Sequence, residues 1–130
     1  MRVLFVEDNE INRRVVGEML RAGGFEMAEA ADGASGLQMI EANDYDLVLM
    51  DLRMPGMDGI TAIRHIRARS DDKAKVPVIV VTADAGSTID ADCKAAGADE
   101  VILKPVSMSN LYDTIGALLA RRGGDGVLVA

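Results

Sequence analysis

Five residues suited to handling a phosphoryl group stand at the ends of short apolar runs. Glu7 and Asp8 follow residues 3–6, Asp51 follows 47–50, Thr82 follows 78–81, and Lys104 follows 101–103. If the runs lie side by side, three acids crowd one point. Two carboxylates about 4 Å apart repel by ~1 kcal/mol in water and by ~4 kcal/mol at an effective dielectric of 20, so such a cluster calls for a cation. Oxygen ligands with no His or Cys nearby favour Mg2+, with Mn2+ as the alternative ion. Lys104 supplies a second, fixed positive charge and Thr82 a hydroxyl. A metal and a lysine together neutralise the oxygens of a transferring phosphoryl group, and a carboxylate can attack phosphorus to give an aspartyl phosphate. Asp51 is the expected nucleophile, because it ends the central run and leads into a turn-rich loop, residues 54–59.

The elements that would position these groups follow from hydrophobic pattern. The four runs are continuous rather than alternating, as in strands of a parallel sheet covered on both faces. Residues 25–30 alternate instead, which predicts an edge strand. Between them lie five helical patterns: Ile11, Val15 and Met19; Leu37 and Ile40; Ile60, Ile63 and Ile66; Ile89, Cys93 and Ala96; Met108, Leu111, Ile115 and Leu118. Gly23-Gly24 and Gly97 suit left-handed helix ends, and Ser107 suits an N-cap. The fourth helix begins with poor helix formers and is expected to be the weakest. The reading is α/β: one (βα)5 domain over residues 1–120, a flavodoxin-like, doubly wound, five-stranded parallel sheet of order 2-1-3-4-5. Residues 121–130 are expected to be a flexible tail, in which 127–129 could add a packing segment. Ligands in such a sheet bind beyond the carboxyl ends of the strands, at the switch point between strands one and three.

Composition removes several function classes. With 14 basic and 21 acidic residues the net charge is −7, the wrong sign for displacing counterions from nucleic acid. Four aromatics and no Trp leave little to stack on bases. Arg64, Arg67, Arg69, Lys73 and Lys75 fall close together but are read as a solvated helix end and loop. No run reaches the ~18–20 apolar residues of a membrane helix, and the amino-terminal run is too short for a signal peptide. A single cysteine, Cys93, excludes an intrachain disulfide and fits a reducing cytoplasm; it is read as a helix-packing residue. His65 is expected to be exposed, and Met54 and Met57 partly exposed beside the site.

The sequence Val6-Glu7-Asp8-Asn9, the run Asp51-Leu52-Arg53-Met54-Pro55-Gly56-Met57-Asp58-Gly59, then Val81-Thr82-Ala83 and Lys104-Pro105 together resemble the receiver domain of two-component response regulators. The resemblance runs from about Arg2 to Leu119. It implies that Asp51 accepts phosphate from a phosphohistidine on a sensor histidine kinase or phosphotransfer protein, so the chain is a signalling phosphoacceptor rather than an enzyme. It also implies that Asp8, Asp51 and the backbone carbonyl of Arg53 bind Mg2+ directly, and that Glu7 holds the ion through water. Thr82 resembles the switch hydroxyl and Lys104 the lysine that pairs with the phosphoryl group. Lys104–Pro105 resembles the family's cis peptide, and Pro55 and Gly59 the residues shaping the entrance. One position departs from the pattern. Val101 stands where the family often has an aromatic that swings inward, so no ring can report the phosphorylated state here.

Arg53 and Asp84, two residues beyond Asp51 and Thr82, are expected to overhang the site and to pair across its mouth, gating water. About ten residues after the fifth helix leave no room for an effector, which points to a stand-alone regulator, a relay shuttle or the receiver of a hybrid histidine kinase. Asn110 and Asp113 are candidates for an output surface. The alternative is a Mg2+-dependent aspartyl-phosphate phosphohydrolase. Its acid/base Asp would stand where this chain has Arg53, which does no proton chemistry near neutral pH. A nucleotide- or flavin-binding module lacks the glycine-rich phosphate loop after the first strand.

Overall fold

Strand and helix alternate along the whole of the computed structural model, which describes residues 1–84 and 86–123. The order is β1 (Arg2–Val6), α1 (Glu10–Ala22), β2 (Glu26–Ala30), α2 (Gly33–Ala42), β3 (Leu47–Asp51), α3 (Gly59–Arg67), a 3-10 turn (Asp72–Lys75), β4 (Val78–Thr82), α4 (Ser87–Ala96), β5 (Glu100–Leu103) and α5 (Met108–Gly123). All pairings are parallel and the sheet order is β2-β1-β3-β4-β5, as the sequence predicts. Residues 124–130, including the apolar 127–129, lie outside the described part.

The continuous apolar runs feed two cores because neighbouring residues of a strand face opposite sides. Leu4, Val6, Val48, Met50, Val78 and Val80 face α2, α3 and α4, where Ile40, Ile63, Ile66 and Cys93 meet them. Val3, Phe5, Leu47, Leu49, Ile79, Val81 and Ile102 face α1 and α5, and pack on Val16, Leu20, Leu111, Ile115 and Leu118. Cys93 is fully buried, in keeping with a packing role.

The expected stripe of α1 is on the wrong side. Ile11 and Val15 are 71% and 44% exposed, whereas Val16, Gly17 and Leu20 are buried. Periodicity marks a stripe but does not choose between two stripes one residue apart. Tertiary packing makes the choice: Val16 and Leu20 join Phe5 and Leu49 in the core, and Gly17 lies beside the tip of Met27 on β2, whose Cε is 2.7 Å from where a Cβ would stand. Met108 is also exposed, and Met54, expected to be partly exposed, is buried.

Helix starts gather at the carboxyl edge of the sheet. Asn9, Asp32, Asp58 and Ser107 accept from the backbone N–H of Asn12, Ser35, Thr61 and Asn110 at 2.9, 2.7, 2.8 and 3.1 Å, each satisfying an orphan donor of the first turn. Among the described residues α4 alone of the five helices has no side-chain cap; Gly86 stands there. Gly24 and Gly97 have positive φ after α1 and α4.

Two corrections concern charged residues. The helix α5 runs to Gly123, so Arg121 and Arg122, assigned to the tail, are helical; they pair with Glu100 at 2.8 Å and Asp99 at 3.3 Å. Nor is the basic stretch simply solvated. Arg67 donates to the carbonyls of Gly97, Ala74 and Val76 and to Asp99. Lys73 Nζ donates to the carbonyls of Ile40, Glu41 and Asn43 at 2.8, 2.9 and 3.0 Å, closing the carboxyl end of α2. His65 is exposed, as expected.

Candidate functional site

Strand register brings the chemistry together. Val6 pairs with Met50, Asp51 with Val81, and Thr82 with Leu103, so Glu7, Asp51, Thr82 and Lys104 finish neighbouring strands at one level. The backbone N–H of Glu7 donates to Ala30 O and that of Lys104 to Thr82 O, at 3.0 and 2.8 Å, which fixes the first residue beyond β1 and β5. Carboxylate oxygens of Glu7, Asp8 and Asp51 lie within 4.8 Å of one another. Glu7 and Asp51 are 1% and 4% exposed, while Asp8 is open to solvent.

Lys104 closes the inner side of the cluster. Its Nζ donates to Glu7 Oε1 at 2.9 Å and to Asp51 Oδ1 at 3.1 Å. Glu7 also accepts from the Asn9 N–H at 3.3 Å and Asn12 Nδ2 at 3.4 Å; its backbone carbonyl accepts from Arg13 Nη1 at 2.7 Å. Asn12 and Arg13 escaped the sequence reading. The available signal was their place in the first turn of α1, directly above Glu7.

Burial pushes the carboxyl of Asp51 up to about 7, and the neighbouring Glu7 adds to the rise against the pull of Lys104. Glu7 itself moves down: burial opposes ionisation, but hydrogen bonds with Lys104 and Asp51 and from the Asn9 N–H outweigh it. Lys104 is held above its usual range, burial notwithstanding, by its hydrogen bonds to both acids. Without a divalent ion, one ammonium therefore serves two carboxylates, and the pair tends to keep a proton.

Thr82 is buried and its Oγ1 accepts from the Asp84 N–H at 3.0 Å. Val101 is half-buried and packs on the α2/α3/α4 core. Arg53 Nε donates to Asp84 Oδ2, so the expected pair across the mouth is formed. The entrance loop depends on Gly59: a Cβ there would stand 2.3 Å from the Asp51 carbonyl oxygen. Lys104–Pro105 is cis, as the resemblance implied.

The family model for the response regulator receiver domain matches residues 3–116. The chain is 39% identical over 121 residues to the transcriptional regulatory protein CseB of Streptomyces avermitilis, covering 93% of this chain and 50% of that protein. It is 36% identical to the chemotaxis protein CheY-3 of Vibrio cholerae over 93% of both chains. Among solved structures, the receiver domain of sensor histidine kinase PA1611 from Pseudomonas aeruginosa, with magnesium coordinated in its active-site cleft, superposes with TM-score 0.84 at 34% identity over 92% of this chain and 97% of that one. A five-stranded parallel sheet ending in an acidic cluster and a lysine is that of a receiver module. The chain belongs to the response regulator receiver family, and it spans about half the length of the first curated relatives it matches.

The phosphohydrolase alternative is not favoured. The residue two beyond Asp51 is Arg53, engaged with Asp84, and not an acid.

Proposed function

We propose that Asp51 is the phosphoacceptor of this receiver, and that the donor is a phosphohistidine on a sensor histidine kinase or phosphotransfer protein. The observation that carries this reading is the buried Asp51 carboxylate, bonded on one side by Lys104 and flanked on the other by the exposed Asp8. The donor set fits a hard divalent ion: three carboxylates whose oxygens converge, with no His or Cys in the cluster. Asp8 and Asp51, with the carbonyl of Arg53, would hold Mg2+ (or Mn2+), and Glu7 would hold it through water. Bound there, the ion would neutralise charge on the phosphoryl oxygens.

The chain's own groups do the rest. A carboxylate oxygen of Asp51 forms the new O–P bond with its lone pair. The P–N bond to the donor imidazole breaks, its electron pair stays on nitrogen, and that nitrogen takes a proton. Lys104, already within hydrogen-bond reach of Asp51, pairs with the transferred oxyanion. Thr82, buried on the next strand, offers its hydroxyl to the same group. Val101 has no ring to swing, so the change in partner affinity rests on backbone shifts in β4, β5 and α4, with the exposed Asn110 and Asp113 on the output side. On this reading the chain is a cytoplasmic phosphoprotein and signalling module, not an enzyme. It contacts proteins rather than nucleic acid or membrane; no helix among the described residues is long and apolar enough to cross a bilayer. It acts either as a stand-alone regulator or as the receiver of a hybrid kinase.

The test is intact-protein mass after incubation with acetyl phosphate. Wild type with Mg2+ is expected to gain one phosphoryl group, and wild type with a chelator or Asp51→Asn none. An adduct independent of metal, or kept by Asp51→Asn, overturns the assignment.

A further inference from the structure

The peptide that joins Glu7 to Asp8 is the free joint of the acidic cluster. Upstream of it, the Glu7 N–H is fixed by Ala30 O on β2. Downstream, Asn9 is the N-cap of α1, so Asp8 alone spans the gap. In a parallel ladder the Glu7 carbonyl would be taken by the backbone N–H of a residue beyond Ala30. But β2 ends at Ala30, and among the described residues no backbone N–H donates to Glu7 O. Arg13 takes that place. Its Nη1 donates to Glu7 O at 2.7 Å, and its Nε donates to Glu29 Oε1 on β2 at 3.1 Å. The Arg13 side chain is only 18% exposed, and a charge-assisted bond of this kind is stronger than a neutral one. The next residue, Arg14, is exposed.

We propose that Arg13, oriented by Glu29, is a positioning residue that aims the Asp8 carboxylate at the divalent-ion site. The proposal rests on the reading of Glu7, Asp8 and Asp51 as that site and adds what sets its affinity. A peptide unit is planar, so holding Glu7 O also fixes the direction of the Asp8 N–H and hence of the bonds around the Asp8 Cα. Glu7 and Asp51 are buried and bonded to Lys104; Asp8 is exposed, so the backbone sets its direction. Without the guanidinium the joint can turn, and the ion must then order it on binding, which weakens affinity. Groups that hold a metal site from behind set about ten- to a hundredfold of its affinity. Glu29 fixes which way the guanidinium points, and so ties the edge strand β2 to the site. Charge alone predicts the reverse: removing a cation from beside three acids draws a divalent ion in more strongly.

The probe is Mn2+, titrated into each protein and followed by the paramagnetic resonance signal of the free ion. Wild type is compared with Arg13→Ala, Arg13→Lys, Glu29→Gln, the double variant of Arg13→Ala with Glu29→Gln, and Arg14→Ala, which removes the same charge from the next residue. Arg13→Ala is expected to weaken Mn2+ binding about tenfold and Glu29→Gln about two- to fivefold. The double variant should match Arg13→Ala, because Glu29 acts through Arg13, and Arg14→Ala should bind as tightly as wild type or slightly tighter. Arg13→Lys keeps the charge but not the fork that serves both partners, and should fall between wild type and Arg13→Ala. Urea unfolding with a chelator is run on every variant. A merely structural role lowers the midpoint and leaves the Mn2+ affinity of the folded protein unchanged, which overturns the proposal. So does tighter binding by Arg13→Ala, an equal loss in Arg14→Ala, or a double variant whose losses multiply. If Arg13→Ala does not fold, Arg13→Lys and Glu29→Gln give the same reading. Wild type that takes up no Mn2+ refutes the ion site itself, and the positioning role falls with it; wild type that binds no more tightly than Arg13→Ala refutes the positioning role alone.

Discussion

Replacing Asp51 by Asn is expected to stabilise the metal-free protein, increasingly so as the pH rises above about 4. The native state raises this carboxyl from 3.8 to about 7, chiefly by burial and then by the nearby Glu7. A carboxyl whose folded pKa lies above its unfolded value binds a proton more tightly when folded. Stability is therefore highest at low pH and is lost as pH rises from the unfolded value through the folded one. Three pKa units correspond to at most about 4 kcal/mol at 1.36 kcal/mol each; relaxation and water entry bring the expected gap to roughly 2 kcal/mol at pH 8. Asn carries no proton and never meets this cost. Glu7 is shifted the other way, so its contribution is present above its unfolded value of 4.5 and is lost only as pH falls through the lower folded value; it does not mask the effect above pH 5. The assay is urea unfolding with a chelator from pH 5 to pH 8, followed by far-ultraviolet circular dichroism because the chain has no Trp. Excess Mg2+ should then narrow the gap by binding native wild type. A gap between the two proteins that is flat with pH, or that shrinks as pH rises, refutes the argument.

Further substitutions test the packing around the site. Gly59→Ala would place a Cβ 2.3 Å from the Asp51 carbonyl oxygen. It should cost about 2 kcal/mol or more in urea melts and weaken Mg2+ binding in a fluorescence-free titration such as calorimetry; a loss under about 0.5 kcal/mol would show that the loop simply shifts. On α1, Leu20→Ala should cost about 2–5 kcal/mol, whereas Ile11→Ser should stay within about 0.5 kcal/mol, and equal losses would restore the stripe read from periodicity. Lys73→Met removes three hydrogen bonds, two to α2 carbonyls and one to that of Asn43 just beyond it; a loss of about 1–3 kcal/mol with an unchanged rate of phosphorylation by acetyl phosphate is expected, and a changed rate would tie that end of α2 to the chemistry.

Strand order and the meeting of Glu7, Asp8, Asp51, Thr82 and Lys104 were legible because each depends on a local signal: a continuous apolar run followed by one polar residue at the strand's end. The Arg53–Asp84 pair was legible from spacing alone, each residue being two past a site residue on neighbouring strands. The buried face of α1 was not. It is set by which residues meet the sheet, Val16 and Leu20 packing with Phe5 and Leu49, a tertiary contact that no periodicity contains. Arg67 and Lys73 were misread for a related reason. Their partners are mostly backbone carbonyls, which every residue has, so charge pattern points to solvent while geometry supplies acceptors. The end of α5 was read short because its last turn is held by Glu100 and Asp99, remote acids that replace an apolar stripe.

The central claim is that a phosphoryl group is held on the Asp51 carboxylate. Borohydride reduces an acyl phosphate of aspartate to homoserine and leaves free carboxylates alone, so reduction of phosphorylated protein followed by peptide sequencing by mass spectrometry locates it directly. Homoserine at position 51, only with Mg2+ and donor present, is the expected result; homoserine at position 8 or 58, or an intact Asp51 in protein that carries the phosphoryl mass, would contradict it.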